Sequence, residues 1–197
     1  DASIRKAADF LLKEQNRDGS WGNHTRTKGL NVLCPYPEGP RSFRTASTSL
    51  CVIGLLTSPL KEDPAVKASL DKALQYLLTT LPTLKRGDTR TVLVVWGHAY
   101  GLSALSRAAR NLPADAPLRE ELKKVASLQV KALDQMADVQ GGWGYYTFET
   151  FSKRPIGEPT SFLTATVLLA YKDAEQAFGL KAEPRIVKRA VACLEKL

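Results

Sequence analysis

The sequence feature that most constrains the fold is a repeated unit made of a helix and a glycine-rich stop. Its first copy, Lys6 to Gly22 (KAADFLLKEQNRDGSWG), places Ala7, Phe10 and Leu11 on one helical face. Asp18-Gly19 then ends the helix, because glycine readily adopts the left-handed backbone conformation that follows many helices.

Further copies of this unit follow along the chain. The copy that begins at Lys131 closes with Gly141-Gly142-Trp143-Gly144, and its alignment on the first copy puts Gln140 in the place of Gln15. Two weaker copies begin at Lys72 and Arg189. Recurrence at nearly regular intervals indicates a fold built by repetition of one supersecondary unit.

Composition limits the class of protein. The 197 residues are 44% hydrophobic and 24% charged, as in a soluble globular protein with a sizeable core. We therefore predict one domain over residues 1–197. No apolar run reaches the length of a membrane span. The compartment stays open, and export after removal of a leader is one alternative.

Charge and cysteine usage argue against two classes of partner. The net charge is +8, but the 28 Lys and Arg are interspersed with 20 Asp and Glu, so we predict no nucleic-acid binding. Cys34, Cys51 and Cys193 are odd in number and lack CxxC spacing, which argues against a disulfide framework or zinc knuckle. We predict no metal and no cofactor.

Periodicity predicts seven helices that alternate between amphipathic (outer) and largely apolar (inner). The predicted ranges are 3–16, 44–57, 64–81, 89–112, 117–138, 159–178 and 184–197. The loop Gly22 to Gly39, with His24, Arg26, Lys28 and Cys34, is long enough to be functional. The run TVLVVW at residues 91–96 has high β propensity, but helical spacing continues beyond it and we assign it to a helix.

The first copy resembles a known family motif. Lys6-Ala7, Phe10-Leu11, Gln15 and Gly19-Ser20-Trp21 are similar to the QW repeat of squalene-hopene cyclases and related triterpene cyclases. The resemblance implies an all-α, partial α/α toroid of about three and a half helical hairpins, and hence an incomplete domain. Protein prenyltransferase β-subunits, the complement thioester domain and some pectate lyases share that toroid.

The later copies depart from the motif. Gln135 stands where the motif has an aromatic residue, and the copy at Lys72 has neither the Gln nor the Gly-x-Trp. In such a unit the indole packs on the neighbouring hairpin, and the glutamine bonds backbone groups left free at a helix end. Four residues are therefore predicted to hold the fold: Gln15, Trp21, Gln140 and Trp143.

One candidate site lies where the inner helices begin. If these helices run parallel, their first turns meet, and helix N-termini with arginines favour an anion. The candidate residues are Arg41, Arg44, Asp88, Arg90, Arg154 and Glu158. The alternative is that Thr45, Thr89 and Ser161 are helix caps and the arginines are solvated.

A second candidate site lies within the inner helices. Alignment of the helices puts Cys51, His98 and Thr166 at equal heights, which could form half a metal site or a nucleophile pair. The alternative is a hydrogen-bonded core histidine. Trp96 and Tyr100, one turn apart, could line a pocket for an apolar or cationic ligand, or belong to the core.

The sequence lacks the catalytic signatures of the families it resembles. There is no Asp-x-Asp-Asp acid, no Asp-x-Cys zinc pair and no Gly-Cys-Gly-Glu-Gln thioester. We therefore expect a non-catalytic module that binds an anionic or apolar small molecule, or part of a larger protein. The alternatives are an isoprenoid cyclase or prenyltransferase relative, and an acidic-polysaccharide lyase. A remaining part of the chain, or a second copy docked through Val167, Leu168 and residues 184–197, is expected to cover the open edge.

Overall fold

The computed structural model describes residues 2–23, 37–149 and 152–196. Within these ranges it contains α-helices, one 3₁₀ turn at Leu81–Thr83 and isolated β-bridges, so the predicted all-α class is confirmed. The helices are α1 (Ala2–Glu14), α2 (Glu38–Thr57), α3 (Pro64–Thr80), α4 (Val95–Arg110), α5 (Pro117–Met136), α6 (Ser161–Phe178) and α7 (Pro184–Leu194).

The helices α2, α4 and α6 pack side by side as an inner layer. In the first turns of α2 and α4, the Gly97 N–H donates to Ser42 Oγ at 3.2 Å. In the last turns of α4 and α6, Arg107 Nε donates to Asp173 Oδ2 at 3.0 Å. The helix starts contact each other and the helix ends contact each other, so the three helices run parallel. This is the arrangement on which the first candidate site depends.

The outer helices lie against this layer. Helix α3 packs on α2, α5 on α4, and α7 on α6, while α1 packs on α3. A proline opens each of α3, α5 and α7, where its missing N–H costs no helical hydrogen bond. The Asp63 carboxylate caps α3 by accepting the Ala65 N–H at 2.9 Å. The alternation of outer and inner helices therefore agrees with the sequence pattern.

The two Gly-x-Trp turns are structural, as predicted. Trp21 is 3% exposed, its indole Nε1 donates to the Leu11 carbonyl at 2.7 Å, and its backbone N–H donates to Thr48 Oγ1 at 2.9 Å. Trp143 repeats both contacts, with the Leu133 carbonyl (2.9 Å) and Thr164 Oγ1 (3.1 Å). Each tryptophan thus links an outer helix to the inner helix that follows it.

The prediction for Gln15 is confirmed. Its amide Nε2 donates to the Gly19 and Ser69 carbonyls, both at 2.9 Å, and its Oε1 accepts the Ser69 hydroxyl at 2.9 Å. This side chain therefore joins the end of α1 to α3.

The prediction that Gln140 plays the part of Gln15 is wrong. Equivalent backbone hydrogen bonds close the two turns, Asn16 N to Ser20 O and Asp138 N to Gly142 O. In that register Ala137 is the counterpart of Gln15, and Gln140 is exposed with a 3.4 Å contact to the Gly157 carbonyl. An alignment of the two copies on their Lys-Ala dipeptides pairs the wrong residues, because the position of the turn, and not the start of the helix, sets the structural correspondence.

The predicted start of α4 is also wrong. Residues 89–94 precede the helix, and Thr91 pairs with Tyr146 in an isolated antiparallel bridge. The Val92 N–H donates to the Tyr145 carbonyl at 2.7 Å, and the Thr147 N–H donates to the Arg90 carbonyl at 2.8 Å. The β propensity of this run indicated the correct local structure, but its partner lies far along the sequence.

Helix α2 begins at Glu38, earlier than the predicted Arg44, because Pro40 lies in the first turn, where a proline is tolerated. Residues 24–36 lie outside the described ranges, and with them the predicted loop residues His24, Arg26, Lys28 and Cys34. Among the described residues, no helix combines the length and the apolar character needed to cross a membrane.

Burial around the inner helices is uneven. Most of α4 is buried, since α2, α5 and α6 surround it, whereas Leu50 of α2 is 47% exposed and Leu169 of α6 is 61% exposed. Val167, predicted to lie on a docking surface, is fully buried and faces the core. Leu168 is half-buried beside α7.

Candidate functional site

Four aromatic side chains from three segments form a cluster beside the first turns of α4 and α6. Trp96 stacks on Tyr100, one turn later in α4, with ring centroids 5.4 Å apart. It also stacks on Phe162 at 6.1 Å and meets Tyr145 at 6.1 Å, while Tyr145 and Phe162 are 5.9 Å apart. We call Trp96, Tyr100, Tyr145 and Phe162 the aromatic cluster.

The backbone explains how these rings come together. The parallel packing of α4 and α6 sets Phe162 opposite Trp96 at the same end of the inner layer. The hydrogen bond from the Val92 N–H to the Tyr145 carbonyl brings Tyr145 to the entrance of α4. The cluster therefore depends on the same bridge that displaces the start of α4.

The cluster reaches the surface. Phe162 is 53% exposed, and Trp96, Tyr100 and Tyr145 are half-buried. Tyr146, whose ring lies 6.3 Å from that of Tyr145, continues the aromatic surface and is itself 37% exposed. Contiguous exposed apolar surface of this kind is typical of ligand or partner sites.

A positive charge stands at the rim of this surface. Arg90, Tyr146, Thr147 and Phe148 line a depression of about 370 Å³. The Arg90 side chain is exposed, and its carbonyl is held by the Thr147 N–H. Because Tyr146 belongs to both the depression and the aromatic surface, the depression that Arg90 lines adjoins the aromatic surface at Tyr146.

The polar edge of the cluster stays neutral near pH 7. Burial raises the pKa of the Tyr145 phenol, and the nearby Trp96 indole only partly offsets this effect. The phenol therefore remains a hydrogen-bond donor and acceptor, and it offers no charged group for chemistry.

The structure brings the predicted inner-helix N-termini to one end, but it does not gather their arginines into one anion site. Arg44 donates to both carboxylate oxygens of Asp18 and lies over the Tyr76 ring at 5.7 Å. Arg41 donates to Thr83 Oγ1, and Arg154 donates to the carbonyl of Asp134 on α5. Only Arg90 of these four adjoins the aromatic surface. The first inner helix does not use Thr45 as its cap, since Thr45 lies within α2 and donates to the Arg41 carbonyl.

The two predicted acidic residues stabilise turns or face solvent. Asp88 accepts the Thr91 N–H at 2.8 Å and the Thr91 hydroxyl at 2.7 Å. Burial raises the pKa of Asp88, but these hydrogen bonds outweigh that effect and the net pKa is lowered. Glu158 is exposed beside the bridge between Gly144 and Pro159.

His98 is a core residue. It is 2% exposed, and its Nδ1 lies 2.6 Å from Gln129 Oε1 on α5. Gln129 Nε2 donates to the Val125 carbonyl, so the Gln129 oxygen faces the ring, Nδ1 carries the proton and Nε2 is an acceptor. Nε2 is buried and has no hydrogen-bond partner among the described residues, and burial lowers the His98 pKa.

Cys51 and His98 do not pair, and the alternative of a hydrogen-bonded core histidine is confirmed. Cys51 is half-buried and lines the cleft between α1 and α2, whereas His98 points to α5. Burial raises the pKa of the Cys51 thiol to about 11, which disfavours a nucleophilic thiolate. The alignment that puts His98 level with Thr166 is also wrong. Trp96 contacts Phe162 and Arg107 contacts Asp173, so His98 lies opposite Thr164. In the part of the chain that the structure describes, no three His, Cys, Asp or Glu side chains form a potential metal site.

The sequence gives only weak signals for two members of the aromatic cluster. Tyr145 follows a structural Gly-Trp-Gly turn, and an apolar residue such as Phe162 in the first turn of a buried helix normally belongs to the core. The repeat is the signal that could have identified Phe162, since Phe162 occupies in α6 the position of Trp96 in α4.

The geometry is therefore that of a partly exposed aromatic surface with one arginine at its rim. In comparisons with known proteins, no family model matches the chain, and no solved structure matches it significantly.

Proposed function

We propose that the chain is a non-catalytic binding module for an amphiphile with an elongated apolar body and an anionic group. The observation that carries the proposal is the aromatic cluster, in which rings from three segments meet at a partly exposed surface. Phe162, an apolar ring that is 53% exposed, gains most from a ligand that covers it.

Charge favours an anionic ligand over a cationic one. The net charge of +8 attracts anions and repels cations at long range. Arg90 adds a local positive group next to Tyr146 and Phe148. An apolar chain lying on the aromatic cluster could thus direct a phosphate or carboxylate towards the Arg90 guanidinium.

The resemblance to triterpene cyclases and prenyltransferases agrees with this class of ligand, because those families act on isoprenoids. We accordingly propose isoprenoid phosphates as the natural type of ligand. Catalysis is not part of the proposal, because the sequence lacks the acid and zinc motifs of those families.

Calorimetric titration with geranyl phosphate and with geraniol tests separately the binding of the apolar body and the binding of the anionic group. Both ligands should bind saturably, and the phosphate should bind more tightly. Arg90→Gln should weaken binding of geranyl phosphate and leave geraniol unchanged. Arg41→Gln is the matched control, since Arg41 lies at another inner-helix start and donates to Thr83.

The apolar half is tested by Phe162→Ala, which should weaken both ligands by about tenfold or more, the equivalent of one lost aromatic contact. Leu128→Ala, at a 43% exposed position of α5, should leave both affinities unchanged. Failure of both ligands to saturate, or equal effects of Phe162→Ala and Leu128→Ala, would refute the proposal.

A further inference from the structure

We infer that the open face between α6 and α7 is a docking groove for an acidic amphipathic helix supplied by a partner protein. The groove has a volume of about 440 Å³, and its apolar floor includes Leu168, Leu180 and Val187. This inference is independent of the ligand proposed for the aromatic cluster.

The internal repeat shows what the groove corresponds to. Thr48 of α2 and Thr164 of α6 receive equivalent hydrogen bonds from Trp21 and Trp143. The glycine of each turn packs against a backbone carbonyl of the next outer helix, that of Lys72 in α3 and that of Arg189 in α7. The pair α6 and α7 therefore repeats the pair α2 and α3, residue by residue.

Equivalent positions differ sharply in exposure. Leu74 in α3 is 6% exposed, whereas its counterpart Val191 in α7 is 45% exposed. Val52 in α2 is fully buried, whereas its counterpart Leu168 is half-buried. The second pair thus has apolar residues at the equivalent positions, but among the described residues no element covers them as fully as in the first pair.

The first pair also shows what kind of element borders such a groove. Leu70 and Leu74 share their groove with Ala108 and Leu112, at the end of α4. Helix α4 brings small and apolar residues to this contact, with its axis parallel to α2. A helix with an Ala- and Leu-rich face is accordingly the occupant that the α6 and α7 groove fits.

The charged residues around the α6 and α7 groove indicate which charge such a helix should carry. In the first pair the rim is balanced, with Lys61 and Lys67 against Glu62 and Asp71. In the second pair it carries Lys172, Lys181 and Lys188 against Glu175. Lys172 replaces Leu56 and Lys188 replaces Asp71, so the second rim is basic and favours acidic flanks on its occupant. The α4 helix of a second copy is a poor match, because it ends in Arg107 and Arg110.

The test uses two synthetic peptides of residues 95–112. One has the sequence of α4, and the other carries Arg107→Glu, Arg110→Glu and Asn111→Glu. In titrations monitored by fluorescence anisotropy of labelled peptide, the acidic peptide should bind the full chain saturably, and the α4 peptide at least about tenfold more weakly, a difference that salt reduces.

Two kinds of variant locate the binding. Val191→Glu should weaken the acidic peptide by about tenfold or more, whereas Leu128→Glu on α5 should not, and circular dichroism checks that both variants fold. The double variant Lys172→Glu and Lys188→Glu should reverse the preference, so that the α4 peptide binds more tightly.

Three results would overturn the inference: no saturable binding of the acidic peptide, equal effects of Val191→Glu and Leu128→Glu, or unchanged preference in the double lysine variant. Sedimentation provides a further check. A dimer of the chain that Val191→Glu dissociates would mean that a second copy, and not an acidic partner helix, occupies the groove.

Discussion

At the scale of single residues, one indole closes the first and the third of the three units of outer helix, turn and inner helix. Trp143 is fully buried and Trp21 nearly so, and each indole N–H reaches a carbonyl of the helix before it. In both copies the indole N–H and the backbone N–H of the tryptophan donate to equivalent acceptors. The Gly-x-Trp motif therefore identifies both tryptophans as structural from the sequence alone.

We predict that Trp21→Ala lowers the free energy of unfolding by about 3–5 kcal/mol, because it leaves a large cavity and an unpaired Leu11 carbonyl. Urea denaturation followed by circular dichroism measures the change. Trp96→Phe, at a half-buried position, is the control and should cost less than about 1 kcal/mol. A loss at Trp21 no larger than that of the control would contradict its structural role.

His98 makes stability depend on pH. Its folded-state pKa is lowered by burial, so the unfolded chain binds a proton more readily than the folded chain does. Stability from the neutral ring is therefore complete above the unfolded pKa of about 6.5 and is lost as pH falls below it, by up to about 1.4 kcal/mol per pH unit.

Urea unfolding at pH 7.5 and pH 5.5 should show this loss in the native sequence. His98→Gln should reduce it strongly, because this substitution removes the buried imidazole. Parallel pH profiles for the native sequence and His98→Gln would show that another group titrates.

At the scale of elements, glycines without a Cβ let the backbone of a neighbouring helix come close, and this sets how tightly neighbouring units pack. Gly141 has φ of +102°, and a Cβ there would overlap the Arg189 carbonyl of α7. Gly54 in α2 has open space around it and an ordinary helical backbone. The two glycines therefore give opposite predictions for the same substitution.

Gly141→Ala should destabilise the chain by more than about 1 kcal/mol, since it adds strain and separates α7 from the turn. Gly54→Ala should stabilise it by about 0.5–1 kcal/mol, since alanine favours a helix. Thermal unfolding of the two variants measures both effects. A stabilised Gly141→Ala would mean that α7 does not dock on this turn.

The positions of the helices were predictable where the signal is local in sequence, and were not where it depends on distant residues. Helical periodicity located α3, α5 and α7 well, because a proline marks each start and the apolar stripe is local information. It misplaced the start of α4, because the hydrogen-bond partner of Val92 is Tyr145. The aromatic cluster depends on that non-local pairing, so sequence could nominate Trp96 and Tyr100 but not the partners that make them a site.

At the scale of the whole molecule, the order of outer and inner helices was predictable from repetition, and the parallel inner layer follows from it. What repetition could not predict is the use of each surface. Arg44 and Arg154 looked equivalent to Arg90, yet Asp18 and the Asp134 carbonyl engage the first two. These contacts depend on the folded backbone, and repetition alone does not indicate which arginine lies beside the aromatic surface.

The most direct test of the binding proposal is a crystal structure of the chain with geranyl phosphate. We expect the isoprenoid chain to lie on Trp96 and Phe162 and the phosphate to approach the Arg90 guanidinium. A ligand bound elsewhere, or an aromatic cluster that stays bare at saturating ligand concentration, would contradict it.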